Sequence, residues 1–210
     1  MTAKRLTADE RRVQILEQAW HVFAKFGYHG SKTRDIASEC GVTEAVVFSH
    51  FPTKLALYMA TCDHGYQGVH KDWQEIFASQ LNGADSLKGI IRVEVGRMSE
   101  NVQLCQMITH GMSASISDDY VGTTVRPWMD DKHRIVSGVI KQGIEDGSLH
   151  NDLDPDCTAL IFRGLIWVHI INMACDLKVR HSKGYPFRMF ECPLRNIGAL
   201  GPDENFTVSQ

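Results

Sequence analysis

Two stretches too short to stand as helices alone, Thr33 to Cys40 and Glu44 to His50, flank a break at Gly41. Isolated helices below about 12–15 residues are marginal in water, so both must lean on something else. Ile36, Ala37 and Cys40 form an apolar face on the first, and Val42 and Val47 continue it beyond the break. Ala37 is small enough for the second helix to cross close to it. Gly41 supplies a positive φ that other residues adopt only with strain. Thr33 and Thr43 occupy N-cap positions. Phe51-Pro52 ends the second helix, because a residue before proline avoids the helical region. These features in register predict a helix-turn-helix.

The brace lies upstream. Leu16, Ala19, Trp20, Phe23 and Phe26 recur at spacings of three and four over residues 9–26, one face of an amphipathic helix. Thr7 with Glu10 forms a capping box at its start, and Gly27 can end it. Residues 28–32 are then a short turn. Downstream, helices are expected over about 54–80, 84–104, 105–116, 126–146, 155–177 and 187–199. They are separated at Asn82-Gly83, Ser117 to Asp119, Gly147-Ser148 and Asp154-Pro155, with a loop from Lys178 to Pro186. Strand signals are scarce, so the fold class is all-α.

Composition removes several function classes. The 210 residues carry a net charge of −3, so the chain is no basic nucleic-acid coat. Residues 1–54 nevertheless hold eight Lys/Arg against six Asp/Glu, while the other 156 hold 14 against 19. A basic head on an acidic body suits contact with a polyanion at one end only. The N-terminus does not read as a signal peptide. No run of about 18 uninterrupted apolar residues occurs, so no membrane partner is expected. The six cysteines are scattered without a CxxC pair, which points to free thiols in a cytoplasmic protein and to no metal site. No Gly-rich phosphate loop, GxSxG elbow or HExxH pair occurs, so no catalytic residues, no enzyme activity and no cofactor are expected.

The order of motifs carries a resemblance. Phe23-Ala24-Lys25-Phe26-Gly27-Tyr28 is followed by Thr33-Arg34-Asp35-Ile36-Ala37, then Cys40-Gly41-Val42-Thr43 and Phe48-Ser49-His50-Phe51-Pro52-Thr53-Lys54. Over residues 10–60 this resembles the N-terminal domain of the TetR family of transcriptional regulators. A weaker echo of the family lies at Ile144 to Pro155. The resemblance implies a three-helix DNA-binding head, residues 1–53, and a larger helical body, residues 54–210, for effector binding and dimerisation. It implies a homodimer that binds a palindromic operator in double-stranded DNA, usually as a repressor, and leaves it when a small molecule binds. A helical ligand-binding protein or enzyme with a vestigial head is the competing reading.

The recognition helix would offer Thr43, Glu44, Ala45, Val46, Ser49 and His50 to the major groove. Thr33, Arg34 and Lys54 would hold phosphates at helix starts. Two positions depart from the family's habit. Phe48 lacks the hydroxyl of the usual Tyr, and Glu44 puts an anion where a cation often sits. Glu44 can instead accept from a cytosine N4 amine.

In the body, residues 157–175 are apolar on nearly every side, interrupted by Thr158, Arg163, His169 and Asn172. A helix apolar all round is buried all round, here against its own core and a second subunit. Cys157, Leu160, Ile161, Gly164, Val168 and Ile171 are the expected dimer interface, with the helix at 187–199 joining them by resemblance. Tyr66, Trp73, Met107, His110, Trp128 and Trp167 are the candidate effector contacts, which points to a hydrophobic or aromatic ligand.

Overall fold

The computed structural model describes residues 6–207, and every regular element among them is helical. The order is α1 (Ala8–Gly30), α2 (Thr33–Glu39), α3 (Glu44–His50), α4 (Lys54–Ala78), α5 (Gly83–Glu100), α6 (Val102–Ser117), α7 (Asp119–Glu145), α8 (Pro155–Ala174) and α9 (Arg188–Asn196). A single 3₁₀ turn, Lys178–His181, lies between α8 and α9.

The head follows from its sequence with two corrections. Thr7 forms the capping box: its hydroxyl accepts from Glu10 N at 3.2 Å, and Glu10 Oε2 accepts from Thr7 N at 2.7 Å. Gly27 does break α1, at φ 68° and ψ 179°. The chain then makes one more helical turn to Gly30 where a loop is predicted, because one glycine absorbs the whole change of direction. The caps differ too. Lys32 occupies the N-cap of α2, and Thr33 is the first helical residue, buried and without a capping bond. Thr43 does occupy the N-cap of α3, but its side chain makes no cap bond either.

In the body, α7 begins at Asp119 rather than near residue 126. Proline suits a first helical turn, so Pro127 argues for the later start. Asp118 overrides it, accepting from Tyr120 N at 3.0 Å and Val121 N at 3.3 Å. Thr123 and Pro127 are exposed, so water can take up the bond that the proline removes. The corner between α7 and α8 is tied to the start of α5. Asp146 Oδ2 accepts from Gly83 N at 2.8 Å, and Ser148 Oγ accepts from Ala84 N at 3.0 Å. Asp154 then caps α8 through Cys157 N at 2.7 Å.

Two apolar clusters result. The first joins Ile15, Ala19 and Phe23 of α1 to Ile36, Val47 and Phe51, and continues through Tyr58 into Met107 of α6 and Val121 of α7. The second joins Ile91 and Val95 of α5, Ile140 of α7, Phe162 and Ile170 of α8, and Phe190 and Leu194 of α9. Helix α4 spans the junction between head and body. By length and composition α8 could cross a membrane. Here it packs against α5, α6 and α7 as one member of the bundle.

Candidate nucleic-acid interface and effector chamber

Helix α3 turns on Val47, which is fully buried against α1 and α2. That pivot leaves Thr43, Glu44, Ala45, Phe48 and Ser49 exposed and Val46 and His50 half-buried. The end of α3 is fixed from α1: Arg12 donates to the His50 carbonyl at 2.9 Å, and its guanidinium lies 4.2 Å from the Phe51 ring centroid. Ser49 Oγ donates to Val46 O at 2.7 Å, so its hydroxyl oxygen remains available to accept. Arg34 is exposed beside Asp35. Thr33 is 7% exposed, which gives its hydroxyl little reach. Lys54 opens α4 behind the N-cap Thr53, whose hydroxyl accepts from Ala56 N at 3.0 Å. Its Nζ sits 4.7 Å from the Tyr28 ring centroid, and partial burial pushes its pKa below the usual lysine value.

Among the described residues of the body lie two small cavities, each with about 40 Å³ of free space. The first lies among α4 to α8, walled by Trp73, Ile90, Ile108, Met129, Val136, Ile166, Trp167 and Ile170. Three charged side chains also face it: Glu94, Lys132 and Arg163. Glu94 is 3% exposed and bonded to Lys132 Nζ at 2.8 Å. Burial pushes the Lys132 pKa down while the Glu94 carboxylate works against that. The second cavity is closer to the head, between α4, α6 and α7, walled by Tyr58, Met59, Cys62, Asp63, Leu104, Met107, Gly111, Met112 and Val125. Ile108 borders both. A larger cleft of about 500 Å³ opens where α1 meets α6, and its walls include the polar side chains of His21, Lys25, Gln103, Gln106 and His110.

The predicted effector residues divide among these places. Trp73 and Trp167 line the first cavity and Met107 the second. His110 lies apart from both, packed on the kink of α1, where a Cβ on Gly27 would approach its Nδ1 to 3.0 Å. The side chains of Tyr66 and Trp128 lie outside the described residues. Sequence reasoning missed Glu94, Lys132 and Ile108. Lys132 sits in a charged run, Asp130 to Arg134, that reads as a solvated face. Yet Met129, Lys132, Val136 and Val139 fall at spacings of three and four, so helical phase alone assigns Lys132 to the inner face. Arg163 was visible as the one cation in an apolar helix.

Helix α8 leaves one stripe uncovered. Leu160 is 58% exposed, Ile161 56%, Val168 49% and Ile171 43%. Cys157 and Gly164 complete it at the same three-and-four spacing, and Gly164 has open space above its Cα.

Comparison with known proteins bears on both regions. A family model described as bacterial regulatory proteins, tetR family, matches residues 15–61. The HTH-type transcriptional repressor KstR2 of Rhodococcus jostii is 21% identical over 160 residues, covering 76% of this chain and 78% of that protein. The HTH-type transcriptional activator FasR of Mycolicibacterium smegmatis is 46% identical over 56 residues, 27% of this chain and 26% of the relative. The solved structure of FadR from Bacillus subtilis in complex with stearoyl-CoA aligns with a TM-score of 0.67 at 20% identity, covering 79% of this chain and 89% of that one. The fold is therefore shared over most of the chain, and the family model falls on the head and the start of α4.

Proposed function

We propose that this chain, which belongs to the TetR family of transcriptional regulators, acts as a cytoplasmic homodimeric repressor whose operator grip is released by a small apolar effector. Residues 1–53 form the reader, and residues 54–210 form the receptor and the dimer contact. The observation that carries this reading is the exposed face of α3, held outward on Val47 and fixed at its end by Arg12. Thr43, Glu44, Ala45, Val46, Phe48, Ser49 and His50 face the major groove. Arg34 and Lys54 anchor phosphates, with Thr33 at the margin of reach. Glu44 selects cytosine by accepting from its N4 amine and keeps non-specific affinity low by repelling phosphates.

The uncovered stripe of α8 supports the dimer. Four large apolar side chains half open to water in line on one helix are a contact surface rather than scattered exposure. Pairing through this stripe, with α9 beside it, sets two recognition helices a fixed distance apart, so the operator is an inverted repeat. The effector enters the body through the cavities lined by Trp73, Trp167 and Met107, with His110 at the joint that passes the change to α1.

The test is selection of bound duplexes from a random pool, followed by mobility shift. The expected product is a two-fold related motif bound by one dimer. Ile161→Asp places a charge on the seam; it should yield monomers by sedimentation and weaken operator binding more than a hundredfold. A wild-type chain that retards every duplex equally would sink the regulator reading.

A further inference from the structure

The first cavity is apolar except at one wall, and that wall is unbalanced. Glu94 is already committed to Lys132 at 2.8 Å. The Arg163 guanidinium makes no hydrogen bond or ion pair among the described residues, although it is half-buried and faces the cavity. Asp130 and Glu94 favour its charge from a distance, and burial, the larger influence, pushes its pKa below the usual arginine value. A second donor belongs to a residue of the same lining. Trp73 lines this cavity at 6% exposure, and its indole N–H has no acceptor among the described residues. A buried donor without a partner costs free energy, and the Trp73 N–H together with the half-buried Arg163 guanidinium at one cavity calls for an acceptor-rich guest. Counting Glu94, Lys132 and Arg163, the wall carries one net positive charge.

The rest of the space has the opposite character. Ile108 borders both the first cavity and the second, whose wall is apolar apart from the Tyr58 and Cys62 side chains and the Asp63 carboxylate. The Tyr58 hydroxyl is already engaged, donating to Met107 O at 3.0 Å. Asp63 would repel an anionic group at that end. Each cavity is far below the roughly 300 Å³ that a small-molecule site needs, but Met59, Met107, Met112 and Met129 surround them, and thioether side chains repack readily.

We propose that the chamber takes an elongated amphipathic anion, an alkyl carboxylate, with its carboxylate at Arg163 and the Trp73 N–H and its hydrocarbon running past a displaced Ile108 into the second cavity. This rests on the reading of the body as an effector receptor and adds the ligand's charge, polarity and direction. A cationic guest is disfavoured because Glu94 is occupied and the remaining charge is positive.

The test uses the intact dimer without DNA, with tryptophan fluorescence and calorimetry as readouts and decanoate, decan-1-ol and decylammonium as probes. Decanoate should bind about tenfold or more tighter than decanol, since a charge-assisted contact is worth that much, and decylammonium should bind weakest. Arg163→Met should erase the preference for decanoate over decanol, and Arg163→Lys should keep part of it. Glu94→Gln, an independent variant, should tighten decanoate several-fold by removing the Glu94 charge from that wall. Equal binding of decanoate and decanol, tightest binding of decylammonium, no binding of any probe, or weaker decanoate binding by Glu94→Gln would each overturn the proposal. Arg163-dependent decanoate binding that leaves the operator complex intact would uphold it and sink the release mechanism instead.

Discussion

The cores of the head and the body are built from different materials. In the head, Ile15, Ala19, Phe23, Ile36, Val47 and Phe51 close on one another, and the buried polar side chains there are the neutral hydroxyls of Ser31 and Thr33. In the body, the same degree of burial is imposed on the Glu94 carboxylate, 3% exposed, and on the His169 imidazole, fully buried. An apolar core tolerates small volume changes poorly but holds one geometry, which suits a reader that must present α3 at a fixed angle. Buried ionisable groups add little net stability, because desolvation offsets their attraction. Their presence marks a region organised for something besides stability, and it sits where the cavities are.

The sharpest way to break this contrast is to remove one member of the buried pair. Glu94→Ala removes the carboxylate that the desolvated Lys132 Nζ meets at 2.8 Å, and should destabilise the fold by about 3–5 kcal/mol, read as a shift in the denaturant midpoint. Replacing both Glu94 and Lys132 with methionine should recover most of that loss. If Glu94→Ala cost less than about 1 kcal/mol, water would already be solvating the wall, and the body would not differ from a polar surface cleft.

The second test is pH. His169 Nδ1 lies 2.7 Å from Tyr185 Oη and its Nε2 lies 3.1 Å from Ser99 Oγ, while Asn172 Nδ2 donates to the same Tyr185 oxygen at 3.2 Å. Burial lowers the His169 pKa from 6.5 to about 4, against a smaller opposing influence from the Val95 backbone. The folded protein therefore keeps the ring neutral while the unfolded chain protonates near 6.5. Below that pH the unfolded state binds more protons, so stability falls as pH drops from 6.5 towards 4 and levels off below. About 2–3 kcal/mol should be lost by pH 4.5. Hydrogen bonds to their oxygens hold the carboxyls of Glu10, Asp146 and Asp154 below their usual values. His169→Gln should flatten the profile over that window; an unchanged slope would show that other groups set it.

How much of this was open to sequence reasoning follows from the same contrast. The head is written in local terms: Gly41 at φ 65°, the Thr7–Glu10 box and the Phe51-Pro52 stop each act within a few residues. The turn expected at residues 28–32 proved partly helical, and the Thr33 cap misled because the threonine is buried as the first helical residue while Lys32 takes the N-cap. The body depends on distant partners. That Glu94 meets Lys132 across 38 residues, or that His110 settles on Gly27, is a product of how α5, α6 and α7 cross. Periodicity can say that Lys132 faces inward, but not which carboxylate meets it. The uncovered side of α8 was legible because it needed only its own spacing.

The smallest expected effect lies at the joint between the two regions. Lys54 begins the helix that serves both clusters, and its ammonium rests on Tyr28, which packs edge-on against Tyr58 at 5.3 Å. Tyr58 in turn lines the second cavity. As a phosphate anchor, Lys54→Ala should weaken binding about equally on all duplexes and reduce the salt dependence by roughly one unit of slope per half-site. Fold stability should change by about 0.5–1 kcal/mol from the lost cation–π contact. Lys54→Arg should restore the salt slope because it keeps the charge. If Lys54→Ala lowered stability while leaving affinity and its salt slope untouched, this lysine would belong to the packing of α4 on α1, and the reader would end at α3.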